Sequence, residues 1–149
     1  MNVSEFQRLF HRRWLDVCGA FGIDVESIPL FVDFGPYPHF KKKRGYAVAI
    51  SNGDGTYHIR FAPKTLQAPT HRVDGLIRHE LGHLADYLIP KAELDTLCLD
   101  WYGVTLPHTD ERRADTIALA VWGKPLRYDA DLVQSTRIGV TPRPAHLGL

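Results

Sequence analysis

Residues 70 to 88 read as one helix, and five of them, His79-Glu80-Leu81-Gly82-His83, constrain what that helix must do. Val73, Ile77, Leu81, Leu84 and Leu88 recur at steps of three and four, the apolar stripe of an amphipathic helix, with Thr70 as its expected N-cap. His79, Glu80, His83, Asp86 and Tyr87 share a different arc of the wheel. Histidines four apart stand one turn above each other, so both imidazoles can reach a single ion. The glutamate between them is about 100° round the helix from His79, beside such an ion rather than under it. Gly75 and Gly82 border the same arc. Each costs a helix roughly 1 kcal/mol relative to alanine, which predicts that another piece of backbone approaches closely there.

Two neutral nitrogen ligands and a carboxylate able to take a proton from water acidified by the ion suit metal-assisted hydrolysis. A third protein ligand is then required. The best candidate is Glu111, in the run Asp110-Glu111-Arg112-Arg113-Ala114-Asp115. Pro107 breaks the preceding segment, Thr109 can cap a new helix, and acidic residues in its first turn suit the helix dipole. Glu111, Asp115, Ala118 and Trp122 share one face of that helix, beside a strip of Ala114, Ile117 and Val121. Alanines at 114 and 118 keep this side thin enough to pack against the glycine-marked side of the first helix. Asp115, one turn after Glu111, can accept the free ring N–H of a ligand histidine and fix its tautomer. Asp115 and His108 also compete with Glu111 as third ligand, His108 lying three residues before it.

His-Glu-Leu-Gly-His followed by a helix reading Glu-x-x-Ala-Asp resembles the gluzincin type of HExxH zinc metallopeptidase, over roughly residues 45 to 122. The compact size, with a hairpin before the motif helix, is similar to the small members, the minigluzincins and the ImmA/IrrE-like proteases. The resemblance implies a Zn2+ ion on His79, His83 and Glu111, Glu80 as general base and Asp115 as orienter of a ligand histidine. It also implies a sheet edge beside the metal cleft that pairs with an extended peptide.

Composition agrees with a soluble hydrolase without specifying one. The 149 residues suffice for one domain with its own core. A net charge of +1 gives no general attraction to nucleic acid or to a membrane surface. The basic run Lys41-Lys42-Lys43-Arg44, flanked by Pro36, Pro38 and Gly45, reads as a solvated loop. Cys18 and Cys98 make neither a disulfide framework nor a Cys-x-x-Cys zinc pattern. The early charges do not resemble a signal peptide, and no apolar run approaches membrane-spanning length, so a cytoplasmic protein is expected.

Elsewhere, Ser4 with Gln7 predicts a capping box opening a helix through Phe6, Leu9, Phe10, Trp14 and Val17, which ends near Gly19 or Gly22. Residues 28 to 34 read as a strand. Residues 46 to 51 and 56 to 61 read as a hairpin about Asn52-Gly53-Asp54-Gly55. Residues 91 to 102 read as a helix with Leu94, Leu97, Cys98 and Trp101 inward, and 124 to 149 as a tail or covering arm. The expected fold class is α+β and zincin-like: an N-terminal helix, a small antiparallel sheet, the motif helix and the Glu111 helix. Tyr57 to Phe61 is the first candidate for the peptide-binding edge, with an inner strand as the equal alternative. Tyr87, Tyr102, His108, Arg112 and Tyr128 are eligible oxyanion donors. The expected activity is peptide-bond hydrolysis on a protein or peptide substrate, with restraint by a covering tail, a regulatory protein partner or a narrow substrate choice. The alternatives are a zinc amidase and a zinc-stabilised regulatory binding module.

Overall fold

The structure, a computed structural model, describes residues 1–37 and 46–123. The basic run at 41 to 44, the segment 124 to 149 and Tyr128 lie outside them. Helix α1 (Val3–Phe21) is followed by strands β1 (Leu30–Phe34), β2 (Ala47–Ser51) and β3 (Tyr57–Phe61). Helices α2 (Thr70–Leu88), α3 (Lys91–Tyr102) and α4 (Asp110–Trp122) complete an α+β arrangement.

The start of α1 differs from the expected one. Asn2 accepts the Glu5 N–H at 2.9 Å and Glu5 accepts the Asn2 N–H at 3.3 Å, so the capping box is Asn2 with Glu5, not Ser4 with Gln7. Both patterns are locally possible; the earlier one adds part of a turn to the helix. Helix α2 begins at Thr70 itself, with Pro69 in the cap position, because proline's fixed φ already suits a helix entry.

The sheet is mixed rather than antiparallel, in the order β1-β3-β2. Strands β2 and β3 pair antiparallel as a hairpin, Ala49 opposite Ile59, whereas β1 pairs parallel to β3, Val32 opposite Ile59. Only the β2–β3 link is a tight turn; the longer β1–β2 connection lets β2 land on the far side of β3. Tyr57 to Phe61 is therefore the central strand, and among the described residues β1 and β2 are the edges. Alternation did not distinguish these cases, since Ile59 and Phe61 face the core in either position.

The core lies between sheet and helices. Phe6 of α1 meets Phe34 and Phe61 edge-on, with ring centroids 4.8 and 4.9 Å away. Val73, Ile77, Leu81 and Leu84 of α2 are fully buried, as are Ile117, Ala120 and Val121 of α4. In α3, Leu94 and Cys98 point inward as expected, while Leu97 and Trp101 are only half-buried and Tyr102 takes the inner place. The Tyr102 hydroxyl donates to the Ala20 carbonyl at 2.7 Å, which ties α3 to α1 and removes this tyrosine from the candidate oxyanion donors.

Helix α4 packs along α2 more extensively than any other pair of helices. A buried ion-pair cluster fastens the two. Arg113 donates to both oxygens of Asp86 (2.9 to 3.2 Å), to Asp95 of α3 (2.7 Å) and to the Pro107 carbonyl (3.3 Å). A lysine keeps the charge but not the planar fork that serves several acceptors at once. Arg113→Lys is expected to cost about 2 kcal/mol of stability, read as a lowered midpoint in urea unfolding; an unchanged midpoint would show the fork to be dispensable.

Candidate metal centre

The centre is assembled where α2 and α4 touch. Gly82 makes that approach possible. A Cβ built there would overlap the Ala114 carbonyl oxygen and lie 3.0 Å from Ala114 Cα, so the backbone expected to come close to the glycine side of the motif helix is that of α4 at Ala114. The contact sets Glu111 and Asp115, on either side of Ala114, opposite the motif histidines.

His79 lies with both ring nitrogens engaged by α4. Its Nδ1 is 2.6 Å from Asp115 Oδ1 and its Nε2 is 2.9 Å from Glu111 Oε2. His83 Nε2 is 3.0 Å from the other Glu111 oxygen, Oε1. The two imidazoles meet edge-on, with centroids 4.6 Å apart and planes at 88°. Thus both Nε2 atoms converge on one carboxylate, while Asp115 holds the far side of one ring. Asp115 is buried; Glu111 is largely exposed apart from its contacts with the histidines and forms the solvent side of the centre.

Electrostatics reinforce this grouping. Burial alone would push the His79 imidazolium towards losing its proton. The hydrogen bonds to Asp115 and Glu111, together with the Glu80 charge, outweigh burial and raise its pKa to about 10. The same bonds, from His79 first and then His83, hold the Glu111 carboxyl well below the usual carboxylate range. Three acidic groups around two imidazoles, with only Glu111 largely exposed, favour positive charge, carried by protons or by a metal ion.

His79, Glu80 and His83 form a group whose donor atoms all lie within 4.8 Å of one another, and this group could hold a metal ion. Among the described residues, none of the candidate third ligands Glu111, Asp115 and His108 belongs to that group; His108 is exposed in the loop before α4. Glu80 and Glu111 approach the histidines differently. Glu80 is nearly buried beside them on α2, at 4 % exposure, whereas Glu111 reaches both Nε2 atoms from outside. The donors fit a divalent cation of the borderline class: two imidazole nitrogens facing one way, a carboxylate opposite them, and an aspartate to fix one tautomer.

Sequence reasoning did not find two further contacts at this place. Asp86 was recognised on the motif arc, but not its partnership with Arg113. Tyr87, one turn beyond His83, donates its hydroxyl to the Ala49 carbonyl of β2 at 3.1 Å. The signal for the first was an arginine pair, Arg112 and Arg113, opening an alanine-rich helix. Nothing local announced the second, because it joins residues far apart in sequence.

No protein-family model, curated protein or solved structure matches the chain. Among the described residues no helix is long and apolar enough to cross a membrane.

The contacts of Asp115 lead to a measurable expectation. Asp115→Asn loses the carboxylate that accepts from His79 Nδ1, and should lower affinity for Zn2+ by roughly 10-fold or more. Glu111→Ala should lower it further if Glu111 is a ligand. Competition with a chromophoric chelator measures both, and zinc affinity unchanged in Glu111→Ala would remove Glu111 from the ligand set.

Proposed function

We propose that the protein is a zinc-dependent metallopeptidase with a zincin-like fold, in which His79, His83 and Glu111 hold Zn2+ and Glu80 is the general base. The observation that carries this reading is the convergence of both Nε2 atoms on the Glu111 carboxylate, with His79 Nδ1 held by Asp115. When bound, zinc supplies Lewis acidity, polarising a peptide carbonyl and acidifying a water.

The chain's own residues supply the rest. Asp115 keeps the proton of His79 on Nδ1, so that Nε2 presents its lone pair. Glu80, nearly buried and one residue from His79, takes a proton from the attacking water and passes it to the leaving amine. Arg113, held by Asp86, fixes the first turn of α4 and with it Glu111. The free edge of β2 lies beside α2 and is the place for an extended peptide to add as a strand. The compartment that suits this reading is the cytoplasm, with a protein partner restraining the activity.

The test is hydrolysis of an unfolded protein such as β-casein by the zinc-loaded enzyme. Cleavage should stop on chelation and return on adding zinc. Zinc-loaded protein that cleaves neither β-casein nor pooled random-sequence peptides would overturn the peptidase reading, and hydrolysis of small amides instead would favour an amidase.

A further inference from the structure

The contact between Tyr87 and β2 bears on how a peptide would reach the metal centre. Two backbone bonds set the phase of the β2–β3 ladder: the Asn52 N–H to the Thr56 carbonyl (3.0 Å) and the Ala62 N–H to the Tyr46 carbonyl (2.7 Å). In an antiparallel pair the directly opposed residues that exchange hydrogen bonds alternate with those that do not. With Asn52–Thr56 and Tyr46–Ala62 as bonded pairs, Val48–Arg60 and Ile50–His58 are bonded pairs too. Ala47, Ala49 and Ser51 therefore direct their N–H and C=O groups away from β3, towards an edge that no strand of the described residues covers. Ala49 is the middle one, and its carbonyl is the acceptor that Tyr87 occupies.

A strand adding to β2 would place a residue opposite Ala49 and donate that residue's N–H to the same carbonyl. Tyr87 stands one turn beyond His83 on the motif helix, and its side chain is 45 % exposed, so it has room to leave. We propose that Tyr87 is a substrate-displaced cap: its hydroxyl satisfies the Ala49 carbonyl in the free protein and is replaced there by a peptide N–H when substrate pairs with β2. The inference rests on the peptidase reading above. It gives the exposed edge a polar partner when no peptide is present, which is one way a bare edge is kept from pairing with other chains. It also makes Tyr87 a positioning and specificity residue, because each peptide must exchange one hydrogen bond to enter.

Burial, and after it the charges of Glu80, Asp110, Glu111 and Asp86, push the Tyr87 phenol up in pKa, so it stays a protonated donor near neutral pH. Two of those charges, Glu80 and Glu111, belong to the metal centre.

Ala49-Ile50 is the only Ala-Ile dipeptide in the sequence, which provides a direct readout. Protein labelled with 13C-carbonyl alanine and 15N-isoleucine yields one carbonyl-to-amide NMR correlation, that of the Ala49 carbonyl. The comparison uses zinc-loaded Glu80→Gln protein, which holds peptide without consuming it, with and without Tyr87→Phe. Without peptide, Tyr87→Phe should move the Ala49 carbonyl resonance upfield as its donor is lost; an unmoved resonance overturns the cap. On titration with pooled random-sequence decapeptides, Tyr87→Phe should bind about threefold more tightly, since no hydrogen bond has to be given up. The Ala49 resonances of the two proteins should then converge, both carbonyls having the same peptide donor. Resonances that stay apart at saturation, or weaker binding by Tyr87→Phe, overturn the displacement. Failure of the peptidase reading looks different: the free-state shift appears, but neither protein binds the peptides and the wild-type enzyme does not hydrolyse them. In that case the displacement falls with it.

Discussion

Glu80→Gln is expected to leave zinc bound and to reduce peptide hydrolysis by roughly 10^2- to 10^4-fold. Glutamine has nearly the volume and shape of glutamate, and the Glu80 side chain is 4 % exposed, so the packing of α2 changes little. What disappears is the negative charge and the capacity to accept a proton from water at neutral pH. His79, His83 and Glu111 retain their own contacts, so the ion should be held about as tightly as before. Measuring bound zinc and kcat on the same preparation separates the roles that Glu80 could have. Loss of zinc with loss of turnover would make Glu80 a ligand, as its place within the close group with the two histidines allows. Retained zinc with undiminished turnover would sink the general-base assignment. Retained zinc with an unaltered biological effect and no hydrolysis in either protein would point to a regulatory module that keeps metal for its fold.

How far the sequence foretold this arrangement depends on the range of the forces involved. The motif helix was legible because 3.6-residue periodicity is a local property, and Val73, Ile77, Leu81 and Leu84 are buried as their spacing requires. Gly82 was legible as a cost without a local reason, and Ala114 is the neighbour that explains it. Glu111 and Asp115 could be placed on one helix face, but only the approach of α4 to α2 decides that both meet His79. The sheet order was not legible. Whether Tyr57 to Phe61 is an edge or a centre depends on where β1 and β2 settle, and Ile59 is buried either way. Arg113 was equally hidden, since its burial is tolerable only when Asp86 and Asp95 arrive from two other helices. The same holds for Tyr87, whose partner belongs to a strand.

Gly82→Ala is expected to destabilise the protein by about 3 kcal/mol and to weaken zinc binding by roughly 10- to 100-fold. The sign is the informative part. Alanine is the better helix former, and at an uncrowded position the change would stabilise by up to about 1 kcal/mol. Here the added Cβ would overlap the Ala114 carbonyl oxygen. No rotamer relieves that contact, because the backbone alone fixes a Cβ and the opposing atom is also backbone. The strain must be taken up by moving α4 away from α2. Glu111 lies three residues before Ala114 and Asp115 one after it, so the same shift draws both carboxylates from His79 and His83. Stability and metal affinity should therefore fall together, in urea unfolding and in chelator competition on one variant. A Gly82→Ala protein more stable than the wild type would show that the helices do not approach as closely as the Ala114 contact requires. Lost stability with unchanged zinc affinity would show that Glu111 and Asp115 are not what holds the ion.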